Sequence, residues 1–530
     1  MLSFGAAFAS AQQATSIPQP AEKLAIPSAP GVISPPDTLF DRAGANDRDA
    51  ARAFYKKYID VNGMPVLASA EVDDLALQRT YDIVTHLLAG RPDVLRKMVT
   101  GGTRLIIIGK DQVYTDMPEY RNHPNPAYQN ERVRGTGGFN VTSFGEENLL
   151  NLPLDRYDDE SIGVHEFCHT IDAALTRIDP AWRGRLRETY QNAMSQGLWK
   201  NAYTSSNPAE YWAEICQSYF DCNRINNWNH APIGTREQLR VYDPRGYELV
   251  RTTFALSPQN DWRYKPLRSQ PSVTLPPAKF NIDPYYTKFT WAREFTIVGR
   301  SAGDEALLAA NDIVRKMFAY RHDVLKALIA DGVKLVVLAP TERISDLPEY
   351  KKLADARGVD ALSRFLGYNP DLKLLAVGEE NVIGDPAQNA VGDSQVIRVM
   401  ASAIYHVTAR RGIDPNWDSR PRNLWQQYEL HLQRLDERLD HSLEQLYANA
   451  GAKGMWKGTA VHNRADYFVQ GVLAYFDAAG QSMPPPDAQQ SITTREALRQ
   501  YDPELFSLIS QTMAYDGHVD WRLPRRAAAR

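Results

Sequence analysis

Val164-His165-Glu166-Phe167-Cys168-His169-Thr170-Ile171-Asp172 carries the spacing His-Glu-x-x-His. On a helix, residues i and i+4 lie one turn apart on the same face. His165 and His169 can therefore aim two imidazoles at one metal ion, and Glu166 can reach a water beside it. This is the donor pattern of zinc hydrolases, two ligands and a general base on one helix. The competing reading is a chance match on an ordinary helix. What decides between them is whether the rest of a site can be found, because zinc takes a third protein ligand and leaves its fourth position to water.

The stretch Asn207-Pro208-Ala209-Glu210-Tyr211-Trp212-Ala213-Glu214-Ile215-Cys216-Gln217-Ser218-Tyr219 supplies a candidate. Asn207 followed by Pro208 reads as an N-cap and a first helical residue. Trp212, Ile215, Cys216 and Tyr219 recur at helical spacing and form a core face. Glu210 and Glu214 stand one turn apart beside that face. Glu210 suits a third metal ligand; alternatively it only complements the helix N-terminus. Glu214 suits an acceptor for the free ring nitrogen of a ligand histidine, which fixes its tautomer. Asp172 is a second candidate for that task, and both carboxylates also fit plain surface or helix contacts.

Together these stretches resemble the gluzincin metallopeptidases, and among them the family of the anthrax lethal factor catalytic domain and the Pro-Pro endopeptidases. That family has His-Glu-Phe-Gly-His, a small or apolar pair and Asp, then Ala-Glu-Phe-Phe-Ala-Glu. Here the counterparts are His165 to Asp172 and Ala209-Glu210-Tyr211-Trp212-Ala213-Glu214. The resemblance covers residues 100–225. It implies Glu210 as the third zinc ligand. It implies Tyr203, seven residues earlier, as the catalytic tyrosine that donates to the oxyanion. Cys168 departs from the family's glycine and reads as a small buried thiol.

The whole chain is an internal repeat. Asp82-Ile83-Val84, Arg91 to Leu95, Arg104 to Ile108 and Asp116 to Tyr120 recur 230 positions later at Asp312, Arg321, Lys334 and Asp346. Gly145-Glu146-Glu147-Asn148 returns as Gly378-Glu379-Glu380-Asn381, and Asp261-Trp262-Arg263 as Asp520-Trp521-Arg522. Each unit exceeds the size of a solenoid repeat and can hold its own core. The reading is a signal-like or disordered segment over 1–48, a catalytic zincin-like lobe over 49–268 and a Pro-rich linker over 269–278. A degenerate lobe over 279–524 and a tail over 525–530 follow. The second lobe is an internal control. His165 aligns with Met400, Glu166 with Ala401, His169 with Ile404, Glu210 with Asp466 and Glu214 with Gln470. Every candidate ligand is gone there, so one zinc per chain is expected. Glu146 and Glu147 recur in the metal-free copy and read as structural.

The fold expected is α+β and helix-rich, with a small sheet and mainly helical packing in each lobe. Leu105 to Ile108 reads as a buried strand, and residues 132–151 as a hairpin with an edge strand. Helices are expected near 72–100, 158–176, 180–196, 207–222 and 235–256. The net charge of −4, without a basic block, argues against nucleic acid as a partner, and no run of about 20 apolar residues predicts a membrane span. Ala9-Ser10-Ala11 resembles a signal cleavage site, though no positive region precedes it, so a secreted or periplasmic location is expected, with a disordered tail as the alternative. Three cysteines cannot build a disulfide framework and are expected free and buried. The function expected is zinc-dependent endopeptidase, acting on a peptide or protein with Glu166 as general base. A zinc hydrolase of a polysaccharide or ester, and a binding protein with a vestigial site, are the alternatives.

Overall fold

The computed structural model describes residues 26–523, apart from 27, 42–44, 158–159, 201, 225–229, 232, 269–270, 320, 353–362, 370, 385–392, 411–438, 460, 481–487 and 514–520. The signal-like residues 1–25, residues 411–438 of the second lobe and the tail over 525–530 lie outside the described residues. Two five-stranded mixed sheets and many helices make an α+β, helix-rich chain.

Each sheet grows outward from one apolar strand. β1 (Lys57–Val61) and β2 (Met64–Ala68) form a hairpin, followed by β3 (Arg104–Ile108), β4 (Gly135–Thr136) and β5 (Val141–Gly145). The order is β1-β2-β3-β5-β4, with β3 parallel to both neighbours. Leu105 and Ile107 face one core cluster while Ile106 and Ile108 face another. Burial on both sides is why this strand reads as an unbroken apolar run rather than an alternating one. β6 (Lys288–Ala292), β7 (Phe295–Gly299), β8 (Lys334–Leu338), β9 (Phe365–Asn369) and β10 (Leu374–Gly378) repeat the plan in the order β6-β7-β8-β10-β9.

Three expectations change. The helix expected over 72–100 is two, Asp74–Leu87 and Pro92–Gly101. Gly90 and Arg91 break it ahead of Pro92, since a residue before proline avoids the helical region. A Cβ at Gly90 would lie 2.3 Å from the Phe254 carbonyl oxygen, so the break is also a point of close packing. The helix near 235–256 likewise divides at Asp243, into Arg236–Tyr242 and Pro244–Phe254. Finally, the described part of the N-terminal segment is packed. Ile26 joins the core, Ile33 bridges Tyr58 and Phe40 stacks on Tyr55. The Pro-rich stretch before the second sheet does the same, with Thr274 bridging Phe289. Among the described residues, no helix is long and apolar enough to cross a membrane.

Both halves share the same internal braces. Asp243 accepts from Trp199 Nε1 at 2.9 Å and from Tyr211 at 2.7 Å; Asp502 accepts from Trp456 Nε1 at 2.9 Å and from Tyr467 at 2.7 Å. Arg134 pairs with Glu147, as Arg364 pairs with Glu380. Glu146 accepts from the backbone N–H of Asp73 and Lys110. These charges hold loops together, in line with their recurrence in both copies.

Candidate metal centre

The helix Ile162–Ile178 starts where Ser161 accepts from the Val164 N–H. It packs along the helix Pro208–Tyr219, whose N-cap Asn207 accepts from the N–H of Ala209 and Glu210. That cap fixes the first turn of the second helix and, with it, Glu210. His165 Nε2 then stands 3.2 Å from Glu210 Oε2 and 3.2 Å from His169 Nε2. His169 Nε2 is 3.4 Å from Glu210 Oε2. In a tetrahedral site with bonds of about 2.0–2.1 Å, neighbouring donors lie about 3.3–3.4 Å apart. The three side chains can therefore hold a zinc-sized ion with little adjustment. His165 is buried, while His169 and Glu210 keep some exposure at 16% and 19% of the side chain, which leaves the group a solvent-facing side.

Charge collects here. Burial opposes a proton on His165, but Glu210, Glu166 and Glu214 outweigh it and raise its pKa well above the usual imidazole value. Burial pushes Glu210 up, and the two histidines outweigh it, holding the carboxyl far below its usual range. A site that attracts a proton this strongly attracts a divalent cation too, and the two compete for the same nitrogen. Glu166 has its pKa raised, chiefly by burial, with both histidines pulling the other way. The Tyr203 hydroxyl is kept protonated by burial and by Glu210, to which it hydrogen-bonds. Its ring lies 6.5 Å from that of His165, so the tyrosine expected at the site is at the site.

The orienting residues differ from the expectation. Gln217 Nε2 donates to the Ser161 carbonyl at 3.1 Å, which turns its Oε1 toward His165. His165 Nδ1 donates to that oxygen at 2.8 Å, leaving the Nε2 lone pair aimed at the group. Glu214 Oε1 is farther off, at 3.7 Å, drawn instead toward Asn223 and His230. Asp172 does not reach either histidine's free nitrogen. It accepts from Trp182 Nε1 at 2.6 Å and pairs with Arg183 at 3.1 Å, because the chain doubles back at Asp179 and lays the next helix, Trp182–Ser195, over it. Gln217 was legible in principle, since it falls two turns after Glu210 on the same helix face. His230, whose ring is 6.4 Å from Tyr203, gave no signal of periodicity.

Strand β4 closes one wall. A Cβ at Gly137, just past it, would lie 2.3 Å from the Glu166 carbonyl oxygen and 2.5 Å from His169 Cβ. Glycine there lets the sheet edge approach the helix. The cysteines Cys168, Cys216 and Cys222 are free and buried, as expected.

The second half differs from the sequence alignment by two residues: Ser394 starts its helix as Ser161 does, so Arg398, Val399 and Ser402 stand where His165, Glu166 and His169 stand, while Met400, Ala401 and Ile404 are sealed in the core. Asp466 accepts from the His462 N–H and from Asn463 Nδ2, serving its own helix start (Arg464–Tyr475). Strand β9 lies against the helix Gln395–Arg410, with the Tyr368 N–H donating to Ser402 Oγ at 3.3 Å. Among the described residues, both groups of side chains able to hold a metal ion belong to the first half.

No protein-family model and no curated protein matches the chain. Among solved structures, the Pro-Pro endopeptidase from Paenibacillus alvei shows a weak likeness: a TM-score of 0.26 and 15% identity, over 36% of this chain and 96% of that one. A likeness of that strength carries no argument about this protein.

Proposed function

We propose that the first half is a zinc-dependent endopeptidase held by His165, His169 and Glu210, with Glu166 as general base. The observation that carries this reading is the convergence of those three donors from two helices at 3.2–3.4 Å from one another. Bound zinc would supply Lewis acidity at a substrate carbonyl and a lowered pKa for coordinated water. Glu166 takes the proton of the attacking water and passes it to the leaving nitrogen. Its raised pKa suits a carboxylate that must hold a proton between the two steps. Tyr203, neutral across the physiological range, donates to the oxygen on which negative charge develops. Gln217 keeps His165 in the tautomer that presents Nε2.

A peptide is the substrate favoured by the sheet edge. Among the described strands β4 pairs with β5 alone, so no strand of the sheet takes its other edge, and an extended chain added there would run beside Glu166 and His169. The test is digestion of a peptide library by the zinc-loaded protein, with and without a chelator. Cleavage that stops with the chelator and returns with zinc supports the reading. A library left intact by zinc-loaded protein overturns it.

A further inference from the structure

The hairpins that open the two sheets share one register, with Val61 opposite Met64 and Ala292 opposite Phe295, so their turns compare residue by residue. In the first half the tip is Asn62-Gly63, exposed, with φ of 51° and 94°. These are the residues a tight hairpin turn prefers, because both central positions need positive φ. In the second half the tip is Arg293-Glu294, with φ of 50° and 72°. Long side chains are strained in that region. They are also buried, at 4% and 7% exposure, where a connecting turn ordinarily runs over the surface. Two residues earlier, the exposed Asp60 of the first half gives way to the half-buried Trp291.

A tip that is both strained and covered is held by what covers it. Glu294 Oε1 lies 3.2 Å from Arg156 Nε, across the seam in the first half. Beside this pair Leu154, also of the first half, packs with Trp291 against the second half's cluster of Tyr286, Phe289 and Val298. Lys279 Nζ donates to the Lys110 carbonyl at 3.3 Å across the same seam.

Arg156 belongs to the segment that leads into the metal helix. Its carbonyl accepts from Arg224 at 3.0 Å. Asn148 ties its neighbours to the helix start: Nδ2 donates to Asp155 Oδ2 and to the Glu160 carbonyl, each at 2.8 Å, and Oδ1 accepts from the Ile162 N–H at 2.7 Å. Ser161 caps the helix, and its carbonyl takes the bond from Gln217 that orients His165. A run of contacts therefore connects Glu294 to His165. Coupling along such a run is an energetic property, and only an energetic measurement establishes it.

We propose that the metal-free half acts on the metal centre, with Glu294 as a positioning residue that works through Arg156. This role rests on the reading of His165, His169 and Glu210 as metal ligands. The buried tip holds Leu154, Asp155 and Arg156 in place ahead of the Ile162–Ile178 helix, and so fixes His165 against Glu210. Strain at Arg293-Glu294 is tolerated in the second copy because these residues serve the first.

The test uses the full-length chain with Co2+ as the probe, because its visible spectrum reports ligand geometry. Two variants cut the contact from either side: Arg156→Ala, and Arg293→Asn combined with Glu294→Gly, which gives the second tip the turn of the first. That turn is the more favourable one locally, and melting in chelator checks that both variants fold. Each should weaken Co2+ binding about tenfold and shift the spectrum, the lower end of what losing an outer partner costs. All three substitutions together should cost no more than either variant alone, since they break one contact. Arg156→Lys, which keeps a cation opposite Glu294, should keep most of the affinity. Affinity and spectrum unchanged in both variants would overturn the role and leave the metal centre standing, with the seam only joining the halves. Losses that add in the combined variant would overturn Arg156 as the route. Wild type that binds no Co2+ would overturn the metal centre, and this role with it.

Discussion

The two halves share strand order, hairpin register and the aspartate that gathers a tryptophan and a tyrosine. They differ where the Ile162–Ile178 helix meets the Pro208–Tyr219 helix. In the first half that seam holds two histidines and several carboxylates. In the second, Arg398, Val399 and Ser402 take the matching positions, none of them an imidazole or a carboxylate, and Met400, Ala401 and Ile404 pack into the core. The comparison separates what the fold requires from what a site requires. Polar groups present in both copies make internal hydrogen bonds that the chain needs to fold. Polar groups present in one copy only are buried at an energetic cost that packing does not explain.

The largest expected effect on this contrast is at Glu210 and its counterpart. Glu210→Ala should weaken zinc binding by more than the roughly 10–100-fold that loss of an outer partner costs. Activity should fall with it and recover in part in excess zinc. Asp466→Ala should leave zinc content and activity unchanged and lower stability by about 0.3–1 kcal/mol, the worth of an acidic group at a helix start. Zinc dialysis and thermal melts on both variants check the pair; metal loss from Asp466→Ala would erase the distinction between the halves.

Importing one charge into the second half should be nearly as severe, in stability. Ala401→Glu places a carboxylate among the buried Val399, Met400 and Ile404, and should cost about 3–5 kcal/mol. Denaturant unfolding measures this, and a neutral outcome would mean that the second seam is not sealed.

Tyr203→Phe should lower kcat by about a hundredfold with zinc content and KM little changed, the scale of one lost oxyanion donor. The matching Thr459→Val, on a hydroxyl that donates to the Trp456 carbonyl, should leave kcat alone. Steady-state kinetics on the two variants decide whether the tyrosine's place beside His165 has a chemical consequence.

Gln217→Ala should give the mildest effect at the centre, about a 10–100-fold loss of zinc affinity. Glu214→Gln should change the affinity of the site less, because Gln217 and not Glu214 holds His165 Nδ1. Competition with a zinc-binding dye ranks the two, and the reverse ranking would restore Glu214 as the orienting residue.

Much of this was legible in the sequence, for identifiable reasons. The spacing of His165 and His169, the Asn207-Pro208 start and the apolar run at β3 are local signals, and each element lies where its signal places it. The β1–β2 hairpin was missed despite a local signal: Asn62 and Gly63 both have positive φ, the turn chemistry of a tight hairpin. Helix breaks at Arg91-Pro92 and Asp243-Pro244 were visible as prolines but overridden by the apolar periodicity on either side. Asp172 and Glu214 depended on which neighbour the chain folds over them. Trp182 and His230 come from other segments, and no spacing encodes that. The meeting of Arg156 with Glu294 is of the same kind: long-range in sequence, set by how the two halves meet.

The most direct test of the central claim compares wild type with Glu166→Gln at equal zinc content on a proteome-derived peptide library. Glu166 is the residue whose loss should remove proton transfer and water activation together while sparing the ligands. The expected result is a defined set of cleavages by wild type that falls at least about a thousandfold in rate in the variant, with zinc retained. Cleavage at the same sites and comparable rates by zinc-loaded Glu166→Gln would contradict it.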